Sequence, residues 1–107
     1  MSITHFISGH LDLSKKEFDE HYKIKIQSAM SNGDSFIIGD ARGADSLAQQ
    51  VLTEHLYDKV TVYHMLEKPR NNFGNFKTKG GFKCDDDRDE QMTKDSTNDI
   101  FWIIFFT

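Results

Sequence analysis

A short apolar run, Phe36-Ile37-Ile38, breaks at Gly39-Asp40-Ala41-Arg42-Gly43 and gives way at once to helical periodicity through Leu47 and Ala48. That arrangement suits the capture of negatively charged oxygen. Gly39 and Gly43 carry no side chain, so the backbone can turn tightly and a ligand can come close. The first amides of the following helix lack internal acceptors, and the helix dipole adds partial positive charge. A phosphate meets both demands. Arg42 offers a bidentate donor, and Asp45 is placed either to cap the helix or to accept from a ribose hydroxyl. In a purely structural reading Gly43 only permits close packing and Asp45 is only a cap. The strand-turn-helix setting and a second glycine turn at Ser8-Gly9-His10 favour the anion. The spacing is not the dinucleotide fingerprint Gly-x-Gly-x-x-Gly, nor a P-loop, because no Gly-Lys-Ser/Thr follows.

Other reactive residue types have plainer readings. Asp85, Asp86, Asp87 and Asp89 suit the positive end of a helix better than a metal, since consecutive helical carboxylates point in different directions. His5, His10, His21, His55 and His64 show no ligand spacing, and no metal is expected. His10, in the turn after the first strand, is placed to hydrogen-bond a phosphate and equally fits a plain loop histidine. Cys84 lacks an activating neighbour beyond Lys83. The stretch 68–83 interleaves Lys68, Arg70, Lys77, Lys79 and Lys83 with Phe73, Phe76 and Phe82, a mixture able to stack a base and hold phosphates. It reads as a long loop leaving the third strand, either a lid with Arg70 and Asn71 nearest the ligand or a surface loop whose phenylalanines tuck against the core.

The elements that position these residues alternate. Residues 3–8 form a first strand. Ser14 and Glu17 make a capping box, Leu13 and Phe18 a hydrophobic staple, and Phe18, Tyr22, Ile26, Ala29 and Met30 a buried stripe that stops at Asn32-Gly33. A second strand over 35–38 leads into the glycine turn. Leu47, Ala48, Val51, Leu52 and Leu56 form the buried face of a second helix. A third strand spans 59–65, a third helix 85–97 with Met92 almost alone on its apolar face, and a final strand 99–106 is apolar throughout.

This alternation predicts one α/β domain: a Rossmann-like three-layer sandwich with a small, mostly parallel sheet in the order 3-2-1-4. Ligands in such sheets lie outside the carboxyl ends of strands where the order reverses, which carries Ser8, Gly9 and His10 and the 39–45 segment to one rim. A length of 107 residues allows a single modest core. With 13 basic against 17 acidic side chains, no global field favours nucleic acid or an anionic membrane. One cysteine excludes an internal disulfide framework. The amino-terminal residues lack a signal-peptide pattern and the longest apolar run, 100–106, is too short to span a bilayer, so a cytoplasmic protein is expected.

The segments FISGH, IIGDARGADSLA, VTVYHM followed by KPRNN, and RDEQMTKDSTNDIFWI resemble, in order and spacing, the SLOG superfamily of Rossmann-like domains, which includes DprA-like and Lonely Guy (LOG) proteins. The likeness runs through nearly the whole chain, and GDARGADSLA is its most specific block. It is nearest to small stand-alone members of unknown function. The resemblance implies binding of a nucleotide or nucleotide-derived, ADP-ribose-like ligand with phosphate at the 39–43 turn. Arg88 and Met92 look like the Arg-x-x-x-Met helix of LOG phosphoribohydrolases, whose arginine lies at the active site. Those enzymes continue with Pro-Gly-Gly-x-Gly-Thr and a catalytic glutamate, a segment this sequence does not contain.

The expected reading is therefore a binding or sensing domain. Gly39, Asp40, Ala41, Arg42 and Gly43 hold phosphate; Ser8, Gly9 and His10 frame the sugar; Asp45, Arg70 and Arg88 face the crevice. No cofactor is expected and no residue is assigned a catalytic role. The alternatives are N-glycosidic cleavage of a nucleoside monophosphate, aided by Asp40 or Asp45, and single-stranded nucleic-acid binding of the DprA type. The apolar final strand also predicts a homodimer formed through that region.

Overall fold

The structure, a computed structural model, describes residues 3–9 and 11–100. Five strands, β1 (Thr4–Ile7), β2 (Ser35–Gly39), β3 (Val60–Met65), β4 (Lys77–Phe82) and β5 (Asn98–Ile100), form one sheet in the order β4-β3-β2-β1-β5. Every pairing is parallel. Across the first four strands the order simply follows the chain, 1-2-3-4, and β5 is added beyond β1. The four strands read from the sequence are β1, β2, β3 and β5, which lie in the order β3-β2-β1-β5; the correction is that the sheet has a fifth strand. The additional strand, β4, lies within the stretch read as a loop. Its sequence, KTKGGF, has no apolar alternation because it is an exposed edge whose lysines face solvent. The chain reverses direction across the sheet between β1 and β5, where parallel α/β sheets open their ligand crevice.

The first helix begins where the spacing predicts. Ser14 accepts from the Glu17 amide and Glu17 reaches back to the Ser14 amide, opening α1 (Lys15–Phe18). A π turn (Asp19–Lys23) interrupts the helix before α2 (Ile24–Ser31), which no periodicity foretells. Asn32-Gly33 then stops it through a Schellman pair, Gly33 N–H to Met30 O and Asp34 N–H to Ala29 O. After β2 comes α3 (Ala44–Glu54) and after β4 comes α4 (Asp85–Asp95).

Two cores follow from the alternation of strand side chains. Ile7, Phe36, Ile38 and Val60 pack with Phe18, Tyr22, Ile26, Ala48 and Leu52 from α1 to α3. Ile37 and Tyr63 turn to the other face and meet Met92 of α4, flanked by Phe6 and Phe82. The thin apolar stripe of α4 is thus enough, since Met92 is fully buried and Arg88 lies one turn away on the same face. Leu56 departs from its predicted place in the α3 stripe: it is 90% exposed with φ 53, past the end of the helix. No helix among the described residues is long and apolar enough to cross a membrane. The apolar stretch on which the homodimer expectation rests falls mostly at 101–106, outside the described residues.

Candidate functional site

Most of the residues singled out along the sequence converge at the carboxyl ends of β1 and β2. Ser8, Gly9, Gly39, Ala41, Arg42, Asp45, Arg70 and Arg88 line one cavity of about 270 Å³, closed by Phe6, Leu11, Met92, Asp85 and Asp89. Asp40 stands behind this wall. Gly43 is the N-cap of α3, with φ 77, and is not a lining residue. His10 lies outside the described residues.

The floor of the site is a buried ion-pair network. Asp40, 1% exposed, receives Arg70 Nη2 at 2.8 Å and Arg88 Nη1 at 2.9 Å on Oδ1, while Oδ2 accepts the Arg70 amide at 2.7 Å. Its backbone carbonyl accepts from Asn71 Nδ2 at 3.0 Å. Burial pushes the Asp40 carboxyl up, but the hydrogen bonds and charge of Arg70, with the charge of Arg88, outweigh it and hold the group below its ordinary range. The same bond to Asp40 pushes the Arg70 guanidinium up. Arg88 also meets Asp85 at 3.2 Å and donates from Nε and Nη2 to Asp89 Oδ1, both at 3.1 Å. All three of its nitrogens are thereby engaged within the protein. Arg88 lines the crevice as a clamp on β2 rather than as a free donor.

Asp40 was expected among the phosphate-holding residues. Its carboxylate instead turns inward to join two arginines, and only its backbone belongs to the turn. Asp45 is 8% exposed, and its Oδ2 folds back to the Ala41 amide at 3.3 Å. Burial pushes this carboxyl up to about 7, against the opposing pull of Arg88 and the Ala41 bond, with Asp89 and Asp40 adding to the rise. The Ala41 amide of the turn is therefore already taken. No acceptor among the described residues takes the amides of Arg42, Gly43 or Ala44. Arg42 itself is largely exposed, and among the described residues its guanidinium pairs with Asp12 at 3.5 Å.

Both glycine turns are dictated by close approach. A Cβ on Gly39 would stand 2.5 Å from Asp45 Oδ2 and 3.2 Å from the Arg88 guanidinium carbon. A Cβ on Gly9 would meet the Tyr22 hydroxyl at 2.1 Å and the Ala44 Cβ at 2.7 Å. Tyr22 lies in the π turn, stacks on Phe18 with centroids 5.3 Å apart, and donates to the Ser8 carbonyl at 2.7 Å. The interruption of the helix thus falls at the residue that supports the Ser8-Gly9 turn, consistent with the frequent appearance of such bulges at functional places.

Gln49 was not foreseen. It is fully buried in α3 and joins three segments: Nε2 donates to the carbonyls of Gly39 and Asn71, each at 3.2 Å, and Oε1 accepts the Phe73 amide at 3.0 Å. A glutamine beside Ala48 on an otherwise apolar face was the available signal. The stretch after β3 divides accordingly. Residues 70–73 are tied to Asp40 and Gln49, Phe76 and Phe82 pack against the two cores, and Phe73 is half exposed. A wider cleft of about 910 Å³, bounded by Thr4, Ser35, Lys59 and Lys77, lies at the opposite ends of the strands and gathers no comparable cluster of buried charge. Among the described residues, no group of three or more His, Cys, Asp or Glu side chains is placed to hold a metal ion. No protein-family model, curated protein or solved structure matches this chain.

Proposed function

We propose that this rim binds a nucleotide or nucleotide-derived ligand. The phosphate meets the amides of Arg42, Gly43 and Ala44 together with the Arg42 guanidinium. Ser8, Gly9 and Asp45 border the sugar, and Arg70 lies between the sugar and the outer face. What carries the reading is the gathering of Ser8, Gly9, Gly39, Arg42, Asp45, Arg70 and Arg88, drawn from four separate stretches of sequence, around one cavity at the carboxyl edge of a parallel sheet. The likeness of GDARGADSLA to SLOG domains supports the same placement. Thermal denaturation in the presence of AMP, ADP and ADP-ribose should raise the melting temperature in proportion to the logarithm of ligand concentration. Arg42→Ala should weaken the effect about tenfold, as expected for losing one charge-assisted contact. A melting temperature indifferent to all three ligands at millimolar concentration contradicts the reading.

One observation favours N-glycosidic cleavage as a second reading. Asp45 lines the cavity with a carboxyl pushed up to about 7, so it can hold or release a proton at neutral pH. Release of free base from AMP, abolished in Asp45→Asn, would establish this chemistry; intact AMP after prolonged incubation would leave a binding domain. The basic stretch gives nucleic-acid binding less support, because Arg70 is paired with Asp40 and Asp85 and Lys79 with Asp95.

A further inference from the structure

The Asp40–Arg70 pair borders a second hollow. Beyond it, at the ends of β3 and β4, an open space of about 890 Å³ is lined by Met65, Leu66, Glu67, Lys68, Gly81 and Asp40, with Arg70 common to both cavities. We propose that this hollow receives the nucleobase of the ligand, with Leu66 and the Arg70 guanidinium as its contact surfaces. The inference rests on the nucleotide reading above and names where the flat, apolar end of that molecule goes.

Leu66 is the observation that points there. It is 68% exposed, and its φ of 53 is a conformation that residues other than glycine seldom adopt. Two hydrogen bonds hold it so: its amide donates to Phe82 O at 3.0 Å, and its carbonyl accepts from Gly81 N at 2.8 Å. The β3–β4 register shifts between Tyr63 and Met65, immediately before it. Such irregularities re-aim side chains, and a strained backbone is retained where the surroundings fix it, often at a ligand clamp. Holding a leucine in water this way contributes nothing to the core. Beside it the hollow is clear, since a Cβ on Gly81 would meet nothing within 4 Å.

Arg70 completes the surface. Its Nη2 is pinned by Asp40 at 2.8 Å and Asp85 at 3.2 Å, while the side chain remains 47% exposed. A planar cation fixed at one end and open at the other is a favourable platform for an unsaturated ring. The volume also falls within the range of small-molecule sites.

The test compares AMP with ribose 5-phosphate by calorimetric titration of the intact protein and of Leu66→Asn. Asparagine tolerates the left-handed backbone, so this variant keeps the turn while removing the apolar contact. AMP affinity should fall about tenfold and ribose 5-phosphate affinity should stay unchanged. Equal loss for both ligands, or no loss for either, overturns the base site while leaving the nucleotide reading in place. Failure of the unaltered protein to bind either ligand removes the nucleotide reading and this inference with it.

Discussion

Asp45 and Asp40 are neighbouring carboxylates that burial pushes up alike but whose partners leave them at opposite ends, and each predicts a distinct response to substitution. The Asp45 carboxyl moves from 3.8 to about 7 on folding. A raised value means its contribution is complete below pH 3.8 and is lost as pH climbs towards 7, because the unfolded chain releases a proton that the folded protein retains. Asp45→Asn removes that dependence. Measured by urea denaturation, its stability relative to the unaltered protein should grow by about 2 kcal/mol between pH 5 and pH 8; a difference that stays flat with pH contradicts the assignment. Asp40 behaves otherwise, since two arginines hold its charge. Asp40→Ala leaves the buried Arg88 guanidinium without its inward partner and should cost about 3 kcal/mol or more. Arg70→Ala should cost clearly less, because Arg70 is 47% exposed and Arg88 still neutralises Asp40. Equal losses in the two variants would contradict the network as described.

At the level of elements, Gln49 joins the end of β2, α3 and the segment that follows β3. Gln49→Leu keeps the volume but strands the Phe73 amide and two carbonyls, at a cost of about 2–3 kcal/mol. Hydrogen exchange at Phe73 should accelerate while exchange in β2 is little changed; uniform acceleration would mean that the glutamine supports only global stability. The same residue shows where sequence reading ends. Phe18, Ile26, Ala48, Val51 and Leu52 were legible because burial repeats at helical spacing, and the Ser14–Glu17 box and the Asn32-Gly33 stop each have a local chemical cause. Gln49 and Arg88 escape such patterns because their burial depends on partners 22 and 48 residues distant in the chain. Lys77 to Phe82 escaped for another reason: an edge strand is held by its backbone, so its side chains need no period. The π turn at Tyr22 has no sequence signature beyond the stripe it interrupts.

Across the whole molecule, a parallel sheet with helices on both faces gathers one group of residues at one edge. The strand order reverses between β1 and β5, the turn into α3 brings Ala41, Arg42 and Asp45 to the cavity, and α4 supplies Arg88 from the opposite face. That much follows from alternation of strand and helix. Which donors remain free does not, because it depends on Asp45 folding back onto Ala41 and on Asp40 engaging both arginines. The floor is thus neutralised within the protein, which supports the proposal of a ligand that brings its own negative charge to the rim. Titration of ¹⁵N-labelled protein with AMP tests this most directly, since it reads the amides themselves. The resonances of Arg42, Gly43 and Ala44 should shift first and furthest, with smaller changes at Ser8 and Arg70. Saturable shifts confined to the cleft around Thr4, Ser35 and Lys59, or no shifts at millimolar AMP, would contradict the account.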